Sequence, residues 1–128
     1  REKLSLCYYA SSSYARSKNI ITVSSGVETG DRDRALEEID RQLKAVQRGD
    51  WEDWEQEGAL QAIRSSLLSL SDSQGALENF YLGQIASGVH ETPEELAVEL
   101  ECVTKERIVA AAQTVHLDTV YFLGGREA

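Results

Sequence analysis

IITVSSGVETGDRDRALEEIDRQLKAV, residues 20–46, contains the change of period from which the fold is read. Through Val27 the pattern alternates, with Ile21, Val23, Ser25 and Val27 on one side and Ile20, Thr22 and Ser24 on the other. A repeat of two belongs to a strand whose faces meet unlike surroundings. Gly26 and Gly30 bracket the exit, and from Asp31 the period becomes helical. Leu36, Ile39, Leu43 and Val46, spaced three, four and three apart, form one stripe along a helix that Gly49 ends. Glu37 stands four before Arg41 and Asp40 four before Lys44, the favourable acid-first order for an exposed face.

Upstream, Leu4 to Ala10 also alternates, with Leu4, Leu6, Tyr8 and Ala10 opposite Ser5, Cys7 and Tyr9. The polar link around Tyr14 to Lys18 is short enough for a hairpin, so the two runs pair antiparallel. Downstream, Asp50 caps a second helix with a stripe of Trp51, Trp54, Leu60, Ile63, Leu67 and Leu70, in which Gly58 permits a bend or a close helix contact. Asp72 or Ser73 starts a third, with Leu77, Phe80, Tyr81 and Ile85 inward and Gly88 as its stop. Thr92, Pro93 and Glu95 make a capping box with proline at the first helical position, ahead of Leu96, Leu100 and Val103. Thr104 caps a fifth helix through Ile108, Ala112 and Val115, and Asp118 to Gly124 reads as a closing strand.

The expected elements are strands at about 4–13, 19–27 and 118–124 and helices at about 32–48, 51–71, 73–87, 93–103 and 105–115. That order gives an α+β fold of two layers, a mainly antiparallel sheet covered on one face by helices. Three strands are few for five helices, so upstream sequence or a second copy is expected to extend the sheet. The apolar pairs Leu4/Leu6 and Val120/Phe122 are the faces a homo-oligomer would cap.

The 128 residues suffice for one modest domain, with 41% hydrophobic and 27% charged residues. A net charge of −9 without a basic stripe disfavours nucleic acid as a partner. No apolar run is long enough to span a membrane, and no basic-then-apolar leader opens the chain. The sequence holds no methionine and starts at Arg1, so an internal start is expected. Cys7 and Cys102 read as two thiols of a reducing, cytoplasmic setting.

Hydrolytic zinc needs two histidines on one helix face with a carboxylate beside them. His90 and His116 are the two histidines; Glu94 stands where a second ligand would follow His90-Glu91, and Pro93 where the inverted motif needs glutamate. His90 therefore reads as a loop residue before the Thr92 cap, and His116 as a residue at a helix C-terminus meeting the dipole. Ser11, Ser12 and Ser13 read as a solvated strand end, and Glu94, Glu95, Glu99 and Glu101 as a solvated helix face. The glycines lack the clustering that cradles phosphate. On residue chemistry alone the chain is an acidic binding or assembly domain.

The opening stretch, Arg1-Glu2-Lys3-Leu4-Ser5-Leu6-Cys7-Tyr8-Tyr9 followed by small polar residues, resembles a motif of the insulinase or pitrilysin type of zinc metallopeptidases, which includes mitochondrial processing peptidase. In that family an arginine at a helix end and a tyrosine seven positions later form a pair in the non-zinc half, while zinc sits on an inverted His-x-x-Glu-His motif in the other half. Arg1 and Tyr8 stand at that spacing. Thr92-Pro93-Glu94-Glu95 and Val103-Thr104-Lys105-Glu106 are similar to the family's capped helix starts, and Asp118 to Leu123 to its last strand. Cys7 takes a place more often held by glycine, and the strand and helix that normally precede the arginine lie outside this sequence.

The resemblance implies a single partial C-terminal domain of a larger metalloendopeptidase, processing-peptidase-like and related to the ferredoxin-like folds. It implies substrate binding by Arg1 and Tyr8, with Tyr8 also assisting at the scissile carbonyl. It implies no metal or cofactor in this chain, zinc in a missing half or partner subunit, and two partners, a peptide substrate and that zinc-bearing domain. The fragment alone is then inactive. A second expectation is a non-catalytic assembly subunit of the same fold. A third, an unrelated acidic helix-rich module, predicts no sheet.

Overall fold

The computed structural model describes residues 6–124. Strands β1 (Tyr9–Ala15) and β2 (Ile20–Gly26) form an antiparallel hairpin in register from Tyr9 opposite Gly26 to Ala15 opposite Ile20. A single 3-10 turn, Arg16–Lys18, joins them, and Asn19 closes it in the left-handed region at φ 53°. Asparagine tolerates that conformation, and its Oδ1 accepts a 2.9 Å hydrogen bond from the Tyr14 hydroxyl. The hairpin rules out the sheet-free module.

Five helices follow: α1 (Arg32–Arg48), α2 (Asp53–Leu68), α3 (Gln74–Ser87), α4 (Pro93–Glu99) and α5 (Lys105–Ala112). Their ends follow local chemistry. Gly49 adopts φ 74° and its N–H reaches back to the last carbonyls of α1, while Gly88 does the same for α3 at φ 68°. A side chain at Gly49 would also crowd its neighbours, since a Cβ there would lie 3.2 Å from Val109 Cγ2. Ser73 caps α3, and Thr104 caps α5. Thr92 and Glu95 form the expected reciprocal box at α4, with bonds of 3.1 and 2.7 Å. At α2 the cap is Glu52, boxed with Glu55, and not Asp50. Both residues offer carboxylate oxygens, and the two-residue offset follows the Trp51 anchor, whose backbone oxygen accepts from Lys105 Nζ at 3.0 Å.

Helices pack in pairs, α1 with α5 and α2 with α4, while α3 meets the hairpin at its turn. The α1/α5 pair is tied by side chains: Gln47 Nε2 donates to the Ala112 and Val115 carbonyls, both at 3.1 Å, and Gln113 Nε2 donates to the Gln47 carbonyl at 3.3 Å. Small residues mark the closest packing, with Ala97 3% exposed in α4 and Ala112 buried in α5. Leu36, Ile39 and Leu43 of the α1 stripe are half-buried.

The mixed α+β class holds, but several expectations are corrected. Residues 118–124 carry no strand, and the sheet among the described residues consists of β1 and β2. Both faces of the hairpin are largely exposed, since helices meet it at the turn and do not cover its strands. Trp54, Ile63, Tyr81 and Ile85, placed inward by their periodicity, are exposed. No atom of another element lies within 4 Å of where a Cβ of Gly58 would stand, so it marks no close helix contact among the described residues. Helix α4 ends at Glu99 in a 3-10 turn, and α5 ends at Ala112, which leaves His116 beyond the helix end. Arg41 pairs with Glu38 and not Glu37, while Asp40 and Lys44 pair as expected.

No helix among the described residues is long and apolar enough to cross a membrane.

Candidate functional site

Tyr8 sits just outside the first ladder pair of the hairpin. Its backbone N–H donates to the Gly26 carbonyl at 2.8 Å, which fixes the residue at the open end of the sheet. Next to it, the Tyr9 ring lies across Gly26 so closely that a Cβ there would come within 2.5 Å of Tyr9 Cε1. Glycine at this position lets the strands end under an aromatic ring. The Tyr8 side chain is 65% exposed, and its hydroxyl donates to the Glu28 carboxylate. Arg1 lies outside the described residues, so the structure locates only the tyrosine of the expected pair.

Glu28 was not picked out by sequence pattern, yet a signal for it existed. The register from Tyr9–Gly26 to Ala15–Ile20, continued one step outward, sets Tyr8 opposite Val27 and Glu28 one residue further. A phenol and a carboxylate at the open end of a hairpin then meet without any long-range packing.

A phenol carries one proton to donate. With that proton directed at Glu28, the oxygen lone pairs of Tyr8 remain able to accept a peptide N–H. Donation to a substrate carbonyl requires the hydroxyl to turn away from Glu28.

The second polar constellation lies at the start of α4. His90, Glu91, Glu94, Glu95, Val98 and Glu99 line an open groove. Glu91 reaches Arg16 of the hairpin turn at 3.7 Å, too long for a hydrogen bond, and its Oε2 is buried without one. Glu95 is occupied by the Thr92 cap. His90 and His116 are both exposed and lie on different segments. Among the described residues, no three His, Cys, Asp or Glu side chains converge as metal ligands would. Cys7 is half-buried and Cys102 exposed, and both are free thiols.

Elsewhere the electrostatics are local. Hydrogen bonds from Arg41 and then Gln42 lower the Glu38 carboxyl to about 2. Arg41 is raised in return by Glu38. These bonds are exposed on α1.

No protein-family model matches the chain. It is 35% identical over 127 residues to a Bacillus subtilis (strain 168) protein named "Probable inactive metalloprotease YmfF", covering 99% of this chain and 30% of that protein. A crystal structure of a conserved protein from Enterococcus faecalis V583 superposes with a TM-score of 0.72 at 29% identity, over 88% of this chain and 27% of that one. The chain thus spans less than a third of the length of either relative.

Proposed function

We propose that this chain is the non-zinc, peptide-holding portion of an insulinase/pitrilysin-type metallopeptidase relative, with Arg1 and Tyr8 as its substrate-binding residues. The observation that carries this reading is the similarity over 127 residues to a protein named as a probable inactive metalloprotease. It stands beside the resemblance of the Arg1-to-Tyr9 stretch to the family's arginine–tyrosine motif. Zinc belongs, in this reading, to another domain or subunit. The described residues do not fit it, since the two histidines lie on different segments and no three His, Cys, Asp or Glu side chains converge among those residues. The free thiols fit a cytoplasmic setting.

Physically, the end of the hairpin offers what an extended peptide requires. A strand edge supplies backbone donors and acceptors with little demand on sequence. A guanidinium presents a rigid fork of donors for a carbonyl. Tyr8 serves this site first as an acceptor and contact surface. It becomes a donor to a carbonyl oxygen only when its hydroxyl leaves Glu28.

That engagement also favours the second reading, a non-catalytic assembly subunit, because a hydroxyl whose hydrogen bond is directed at Glu28 is not aimed at a reacting oxygen. The two readings separate in the intact protein assayed with its zinc-bearing partner. Tyr8→Phe is expected to cut peptide turnover by roughly a hundredfold or more if the hydroxyl stabilises the developing oxyanion. In a peptide-holding role without chemistry, Arg1→Ala and Tyr8→Phe weaken peptide binding while leaving the partner's turnover intact. Unchanged binding and unchanged turnover in both variants would leave only the assembly role.

A further inference from the structure

The hairpin is joined to the helices at both ends. Its open end runs through residues 27–31 into α1, and at the other end the turn Arg16–Lys18 meets α3. Between these points both faces of β1 and β2 are largely exposed. Seven residues per strand, at about 3.3 Å each, put the turn roughly 20 Å from Tyr8. An arm of that length, tethered by the chain at one end, takes its angle from what holds the other.

The polar contacts at the turn are incomplete. Arg16 Nη1 stands 3.7 Å from Glu91 Oε2, close enough to pair in charge and too far to donate. That oxygen is shut off from solvent and accepts no hydrogen bond among the described residues. Gln84, 7% exposed on the helix that meets the turn, has its Oε1 in the same condition. Buried acceptors are costly until a donor reaches them, and a charged one more so. Arg16 brings five donors in a rigid fork to this junction. Glu94 and Glu99 line the groove beside Glu91, so the local field also draws a cation toward α4. An ion pair wholly on the surface would be worth little, and the buried oxygen sets this one apart.

We propose that Arg16 is a positioning residue: by donating to Glu91 it seats the hairpin turn on the link between α3 and α4, and so sets the angle at which the β1 edge and Tyr8 meet a peptide. Bringing the pair from 3.7 Å to the ordinary length of a charge-assisted bond, about 2.8 Å, moves the turn by about 1 Å. The seat itself needs only Arg16 and Glu91. Its consequence for Tyr8 rests on the peptide-holding reading given above.

The test uses the intact protein and two readouts: amide exchange at the turn, where the Asn19 N–H is bonded to the Arg16 carbonyl, and affinity for a fluorescently labelled, unstructured peptide of alanine, serine and glycine. Arg16→Gln and Glu91→Gln are each expected to speed exchange at Asn19 by about tenfold, the size of one charge-assisted hydrogen bond, while amides of α1 and α5 keep theirs. Each should also weaken peptide binding several-fold. The exchanged pair, Arg16→Glu with Glu91→Arg, should restore most of both losses. Unchanged exchange in the single variants, or an exchanged pair no better than they are, would overturn the seat. Faster exchange with unaltered peptide affinity, in a protein whose affinity falls in Tyr8→Phe, would overturn the positioning role and leave the peptide-holding reading standing. Affinity indifferent to both Arg1→Ala and Tyr8→Phe would remove that reading and the positioning role with it, while the exchange data decide the seat alone.

Discussion

Replacing Gln47 by alanine tests how the α1/α5 pair is held. The final carbonyls of a helix have no partner within it. At and just past the end of α5, the Val115 carbonyl and Ala112 O, which also accepts from the Val115 N–H at 3.0 Å, are both met by the Gln47 amide, at 3.1 Å each. These bonds are partly buried, so water replaces them incompletely when they are lost. At a net ~1 kcal/mol per bond, Gln47→Ala costs about 2 kcal/mol. With a urea slope of roughly 2 kcal/mol/M, the unfolding midpoint falls by about 1 M, read by circular dichroism at 222 nm. Gln47→Glu sharpens the test, because it preserves shape and removes the donors. Above the ordinary glutamate range, near pH 4.3, a carboxylate would face two carbonyl oxygens. Its folded-state pKa is therefore raised: the variant is least impaired below that range, where a protonated carboxyl donates one bond, and loses stability as pH rises. At pH 7 it should be less stable than the alanine variant, and at pH 4 the gap should close or reverse. An alanine variant within about 0.5 kcal/mol of the parent, or a glutamate variant whose deficit ignores pH, would refute the clamp.

Three further outcomes are expected. Gly49→Ala forces a side chain into the left-handed region at φ 74° and against Val109, and should cost at least about 1–2 kcal/mol in the same denaturation assay. Thr92→Ala removes the acceptor for the Glu95 N–H and should cost about 1 kcal/mol, most of which Thr92→Ser restores. Glu38 should titrate near 2 by carboxyl NMR and rise toward the usual carboxylate range in Arg41→Ala, with Gln42→Ala producing the smaller change. Because its pKa is depressed in the folded state, any stability linked to Glu38 is present above the ordinary glutamate range and disappears as pH falls toward 2.

What the sequence made legible was what neighbouring residues decide for themselves. The α1 bounds, the Thr92 box and the Thr104 cap follow from hydrogen bonds that close within a few residues, and the antiparallel hairpin follows from its short turn, although β1 is Tyr9–Ala15 and not about 4–13, with Tyr14 and Ala15 in the ladder and not in the link. Positions that depend on what lies opposite were not legible. Trp54 and Ile85 have the right periodicity for burial, but burial also needs a surface to press on, and the described residues supply none. The stretch from Thr119 to Leu123 shows the same dependence: β-branched and aromatic side chains favour a strand, while a ladder requires a second backbone. The cap shift from Asp50 to Glu52 belongs with these cases, because a contact from Lys105, distant in sequence, fixes Trp51 and so the start of α2.

The candidate site divides along the same line. Tyr8 was singled out by its spacing from Arg1, a relation along the chain, whereas its actual partner Glu28 comes from across the hairpin. That partner changes the chemistry. A free phenol at a sheet end is poised to donate, but one bonded to a carboxylate is an acceptor until the bond breaks. Glu28→Gln therefore weighs more than any substitution at Tyr8 itself, since it keeps the phenol and weakens the charged acceptor that holds its proton. If Tyr8 serves as a donor when peptide is bound, Glu28→Gln should strengthen peptide binding by the intact protein, and Tyr8→Phe in that background should abolish the gain. If the Tyr8–Glu28 bond only closes the end of the hairpin, Glu28→Gln should leave peptide binding unchanged and loosen the ladder at Tyr9 and Gly26, seen as faster amide exchange there.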